Sequence, residues 1–169
     1  MPVSSRFVSV VAVCAVLASA VSAAQAKPDF SGSWIRDAAR STSTTTGPAA
    51  GGAVAALPIG VTVIRQTAAT LTIVREIMAQ PITYVFKLDG AESVNRNGAV
   101  TQTTRSRWNG AHLVTEGEQS QTTSQGYAKW TLKATRALDA AGRLIVDSTF
   151  TDLDGVVTTS HEVFTRKPR

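Results

Sequence analysis

The chain has 169 residues, 17 of them Lys or Arg and 12 Asp or Glu, for a formal net charge of +5. Charged residues make up only 17% and apolar ones 43%, which excludes a disordered polyelectrolyte and leaves enough apolar material for one packed domain. The basic residues are scattered singly, apart from Arg166-Lys167-Pro168-Arg169, so the charge describes a solvated surface and no nucleic-acid partner is expected.

Residues 1–26 read as a secretory signal peptide. Arg6 supplies the positive start, residues 7–17 the apolar segment, and Ala24-Gln25-Ala26 a cleavage site before Lys27. Ser22-Ala23-Ala24 offers a nearby alternative. The apolar segment is too short to cross a bilayer, so no membrane span is expected. The expected location is outside the cytoplasm, in the periplasm or the extracellular medium. Cys14 is the chain's single cysteine and lies within the leader. Val13 precedes it, where a lipidation signal would want a small residue. Residues 27–169 are then a single domain without disulfides or thiolate metal sites, held by its own core.

The exported part opens with Asp29-Phe30-Ser31-Gly32-Ser33-Trp34. After Trp34-Ile35-Arg36 the composition shifts to Thr42-Ser43-Thr44-Thr45-Thr46, then Gly47-Pro48 and Gly51-Gly52. Residues 38–58 carry no apolar period and several breakers, and read as a flexible insert. From Ile59 onward, β-branched and aromatic runs alternate with turn signals. The runs are Val61-Thr62-Val63-Ile64, Leu71-Thr72-Ile73-Val74, residues 82–88, 100–108, 111–119, 127–138, 143–151 and 156–166. Thr, Val and Ile suit pleated, half-buried surfaces, and no sustained 3.6-residue period occurs. Asp89-Gly90, Asn97-Gly98, Asn109-Gly110 and Asp154-Gly155 are preferred pairs for tight hairpins. The piece between Gly90 and Asn97 is short enough to be a bulged connection. Short connections make neighbours antiparallel, and closing a long meander removes its exposed edges. The expected fold is all-β: an antiparallel up-and-down β-barrel of about eight to ten strands, with a two-sheet sandwich as its rival.

The motif Gly32-Ser33-Trp34 resembles the first strand of the calycins, the barrels that include lipocalins and fatty-acid-binding proteins. In that family the Trp closes one end of the barrel, and a basic residue near the end of the last strand packs over it. Phe164-Thr165-Arg166 supplies that residue here. The resemblance therefore implies a structural pair, Trp34 and Arg166, which close the barrel. Two departures stand out. Residues 38–58 lack the helix pair of fatty-acid-binding proteins, and the chain stops without the C-terminal helix usual in lipocalins. The whole pattern is closest to small exported bacterial proteins with a lipocalin-like barrel and no assigned activity.

Chemistry-bearing residues are few. His112 and His161 lie in separate runs without metal-ligand spacing, and no metal or cofactor is expected. Ser160-His161-Glu162 holds the letters of a triad, but adjacent strand residues point to opposite faces. Asp152 and Asp154 read as turn formers, and Glu116 with Glu118 as an outer face. No G-x-S-x-G elbow or phosphate-binding glycine loop occurs, so no enzyme is expected. The ligand-binding candidates are Tyr84 and Phe86 on one strand face, Arg105 and Arg107 on another, and Trp108 and Trp130. If Arg105 and Arg107 face inward, they would need an acidic ligand between them. If they face outward, Trp108 fills the core. Thr101-Gln102-Thr103-Thr104 is polar on both faces, as a partly wet lumen would be. The leading expectation is an exported binding module that holds a small apolar or amphiphilic molecule in its lumen. The alternative is a packed barrel that acts as a structural or interaction protein of the cell envelope.

Overall fold

The computed structural model describes residues 26–47, 59–77, 80–124 and 126–168. The predicted leader up to residue 25, residues 48–58 of the predicted insert, and Arg169 lie outside them. Eleven strands follow one another: β1 Gly32–Arg36, β2 Thr42–Thr46, β3 Ile59–Gln66, β4 Thr70–Ile77, β5 Gln80–Lys87, β6 Glu92–Asn97, β7 Val100–Asn109, β8 His112–Thr123, β9 Gly126–Leu138, β10 Leu144–Asp152 and β11 Val157–Arg166. Among the described residues every regular element is a strand.

All pairings are antiparallel, in the order β5-β4-β3-β1-β11-β10-β9-β8-β7-β6. From β3 to β11 the chain is a simple meander, and β1 joins its first and last strands. Tight turns make this possible. At the two Asn-Gly corners, Gly98 and Gly110 both take φ +59°, a conformation that costs glycine nothing.

Two short elements differ from expectation. Thr42–Thr46, read as part of a flexible insert, is β2. It pairs with Val157–His161 of β11, beyond the three residues that β1 covers. The physical reason is an available edge: five β-branched or small polar residues complete a ladder that β1 leaves unfinished. The piece after Gly90 is also a full strand, β6, paired with β7 from Glu92 to Asn97.

The barrel closes between β5 and β6 by an unusual seam. No backbone ladder joins these two strands in the pairing order. Instead, alternate side chains of β6 bond to the backbone of β5. Ser93 Oγ accepts from Lys87 N–H (2.8 Å), and Asn97 Nδ2 donates to Thr83 O (3.2 Å). Asn95 does both, accepting from Val85 N–H (2.7 Å) and donating to Val85 O (3.1 Å). Its carboxamide stands in for a peptide group of the missing ladder, which satisfies β5 backbone groups that would otherwise be orphaned. Ser93 and Asn95 are buried.

Inward residues along each strand form two zones. At one end Phe30, Trp34, Leu71, Leu88, Leu113, Leu144 and Phe164 make a solid apolar plug, with Trp108 and Leu138 packed against it. At the other, the inward positions turn polar and space opens between them.

Candidate functional site

At the plugged end, the indole Nε1 of Trp34 donates to Phe30 O (2.9 Å). Arg166 lies opposite Trp34 in the β1–β11 register, its guanidinium 4.6 Å from the ring centroid. Arg166 Nη1 also donates to Ser31 O (2.9 Å). A Cβ at Gly32 would come within 2.6 Å of Arg166 Nη1, so only glycine permits this approach. Phe30 stacks on Trp108 at 5.7 Å, and Lys27 Nζ lies 5.9 Å from the Trp108 ring centroid. These side chains hold the barrel shut. A shallow surface depression lined by Lys27, Asp29, Gln66, Thr67, Ala68, Leu88 and Trp108 lies against this end.

Above the plug lies a cavity of about 140 Å³, lined by the apolar side chains of Ile73, Tyr84, Phe86, Leu132, Val146 and Phe150 and by polar groups. Its lining is buried toward the plug and half-buried away from it, at Ile77, Gln119, Ser148 and Phe150. The cavity therefore opens at the end remote from Trp34.

The polar groups are arranged around three arginines and one carboxylate. Glu162 accepts from Arg36 Nε (3.1 Å) and Arg75 Nη2 (3.3 Å). Arg75 also lies over the Phe164 ring, at 5.8 Å from its centroid. Arg136 is different. It is only 8% exposed and forms no ion pair with any described carboxylate. Its Nη1 donates to Thr115 Oγ1 (3.0 Å), which in turn meets Ser106 Oγ (2.8 Å). Its guanidinium lies 5.2 Å from the Phe86 ring centroid.

Burial pulls Arg136 down to about 10, the charge of Arg75 adds to that, and Glu162 opposes it. At neutral pH the group stays charged. A base with a depressed value binds fewer protons folded than unfolded. Its charge therefore works against folding at every pH below about 10, and the penalty is relieved only above it. Tyr84, on the same cavity, is pushed up by burial, with Arg75 acting in the opposite direction. An aliphatic and aromatic lining beside a buried guanidinium that has no ion-pair partner can hold an acid with an apolar body.

The sequence candidates divide around this cavity. Tyr84 and Phe86 line it. Trp130 follows the inward parity of Leu132 and Ala134 but lies beyond the lining, nearer the open end. Trp108 belongs to the plug. Arg105 and Arg107 do not face the lumen. Their side chains are 61% and 64% exposed and pair with Glu92 and Glu116 on the outer surface. The reason is parity: Gln102, Thr104 and Ser106 hold the inward positions of β7, so odd residues point out.

Arg136 and Arg75, which do reach the cavity, were missed. The signal was present. Arg136 shares its strand face with Leu132, Ala134 and Leu138, and Arg75 shares its face with Leu71, Ile73 and Ile77. A lone cation on an apolar face is costly without a reason.

The catalytic candidates do not converge. His112 is exposed at the start of β8. His161 faces outward and bonds Asp147 (2.7 Å), while Glu162 faces in. Glu116 pairs with Arg107 and Lys133 on the outer surface, and these partners hold its carboxyl below the usual range. Among the described residues, no three His, Cys, Asp or Glu side chains gather as a metal site. No described helix is long and apolar enough to cross a membrane.

The strands form a nearly closed antiparallel β-barrel. No family model matches the chain, and no curated protein does. Solved structures resemble it in shape. One is described as the REP1-NXSQ fatty acid transporter, with 14% sequence identity and a TM-score of 0.49 over 82% of this chain and 96% of that one. A likeness at that level adds nothing to the strand pairing, which carries the fold unaided.

Proposed function

We propose that this barrel is a binding module for a small acidic amphiphile, held in the lumen outside the cytoplasm. The carrying observation is Arg136, a guanidinium 8% exposed at the cavity, with no carboxylate partner among the described residues. A buried cation left unpaired is destabilising, and a carboxylate brought by a ligand would relieve it through charge-assisted hydrogen bonds. Arg75 lines the same cavity and its charge acts on Arg136, and its own partner Glu162 is divided with Arg36, which leaves it able to share the anion. The apolar body of the ligand would rest on Ile73, Tyr84, Phe86 and Phe150.

The size of the cavity limits the ligand. About 140 Å³ is close to the roughly 150 Å³ that holds one benzene ring. A short acid fits within it. A long-chain acid would extend through the open end.

Isothermal titration with octanoate tests this reading. Saturable binding by the purified protein, abolished in Arg136→Met, supports it. Absence of binding to octanoate and to longer fatty acids would refute it. Export is supported by the apolar segment at residues 7–17 and Ala24-Gln25-Ala26. Cell fractionation with N-terminal sequencing of the recovered protein checks that part, with Lys27 expected as the first residue.

A further inference from the structure

The lumen carries a second polar pole, and it is an acceptor. Gln102, on β7, is only 8% exposed and lines the cavity. Its Nε2 donates weakly to Gln119 Oε1 (3.4 Å), and its Oε1 has no partner. A buried carbonyl oxygen without a donor costs free energy comparable to a lost hydrogen bond. It lines the same cavity as Tyr84, Phe86, Leu132 and Phe150, within reach of a ligand held there.

The order of the two poles along the lumen follows from the strand. Ser106 Oγ belongs to the chain of hydrogen bonds that ends on Arg136, through Thr115. Gln102 lies four residues earlier on β7, on the same face, with the buried Thr104 between them. The cation sits on the plug side of the cavity, and the acceptor sits toward the mouth.

We propose that the ligand is a hydroxy acid, with its carboxylate on Arg136 and a hydroxyl farther along its chain donating to Gln102 Oε1. This rests on the binding reading above and adds a specificity-determining residue to it. A plain alkanoate satisfies Arg136 but leaves the Gln102 carbonyl buried and unpaired. A hydroxy acid of matching length satisfies both. Discrimination of this kind is effective because the penalty falls on the site whenever the donor is missing.

The test compares octanoate with 4-, 6- and 8-hydroxyoctanoate by isothermal titration, on the native protein and on Gln102→Leu. The native protein is expected to bind at least one of the hydroxy acids about 3- to 10-fold more tightly, the range of one net hydrogen bond. In Gln102→Leu the order is expected to invert, with octanoate binding retained as proof that the barrel is folded. Equal affinities in the native protein, or a preference unchanged by Gln102→Leu, would overturn the hydroxy-acid assignment while leaving the acid-binding reading intact. Failure of all four acids to bind would remove the binding reading, and this inference with it. If Gln102→Leu does not fold, Gln102→Glu serves instead. Its carboxyl would act on the acid head of every probe alike, yet would still accept from the hydroxyl, so the preference should persist. Its loss would count against the proposal.

Discussion

The two ends of the lumen are built on opposite rules. At the plugged end the inward positions are apolar or aromatic apart from Thr62, and two exposed cations, Arg166 over Trp34 and Lys27 over Trp108, lie outside the core with their charge accessible to water. At the cavity end, Arg136 is buried, the Gln102 carbonyl is unpartnered, and three arginines surround one glutamate. The first arrangement maximises burial and packing. The second accepts desolvated charge and empty volume that a stable core would eliminate. Strained electrostatics concentrated at one end, on a scaffold closed firmly at the other, is what a binding site on a rigid barrel requires.

The sharpest way to break this contrast is Trp34→Ala. It removes a fully buried indole, its hydrogen bond to Phe30 O and the surface under Arg166. A loss of about 3–5 kcal/mol in urea unfolding is expected. Glu162→Gln comes next. It leaves Arg36, Arg75 and Arg136 without a carboxylate among them and should cost about 3 kcal/mol, checked by the same measurement. Octanoate at saturating concentration should recover part of that loss.

Asn95→Ala removes both bonds to Val85. About 1–2 kcal/mol is expected, with faster hydrogen exchange at the Val85 and Lys87 amides and no change within β9 or β10. Arg136→Met probes the contrast from the other side. It should leave the unliganded barrel as stable or about 1 kcal/mol more stable while abolishing octanoate binding. A marked loss of stability would mean that Arg136 is a structural residue. The smallest effect is reserved for the outer face: Arg105→Ser and Arg107→Ser together should change stability by less than about 1 kcal/mol and leave octanoate affinity untouched.

Much of the barrel was legible in local chemistry. Asn97-Gly98 and Asn109-Gly110 declare their corners because few other pairs tolerate positive φ at so little cost. Runs such as Leu144-Ile145-Val146 declare strands by β-branching and length. β2 was not legible, because Thr42–Thr46 becomes a strand only when β11 offers it an edge. The site was legible only in part. Tyr84 and Phe86 stand out by type. Arg105 and Arg107 drew attention as an adjacent same-face pair, yet face parity on β7 turns both outward. Arg136 and Arg75 are single cations within apolar periods and pass for edge residues until a neighbouring strand covers them.

By itself the sequence determined the strands, their antiparallel sense and the small corner residues, since these depend on φ preferences and alternation within a few neighbours. It also marked Gly32, Trp34 and Arg166 as a set by resemblance. Only the tertiary structure decided which face of each strand is the lumen, that side chains of Ser93, Asn95 and Asn97 close the seam, and that Arg136 is enclosed without an ion-pair partner among the described residues. Those are properties of distant strands brought together. Burial and charge compensation exist only once the barrel has closed.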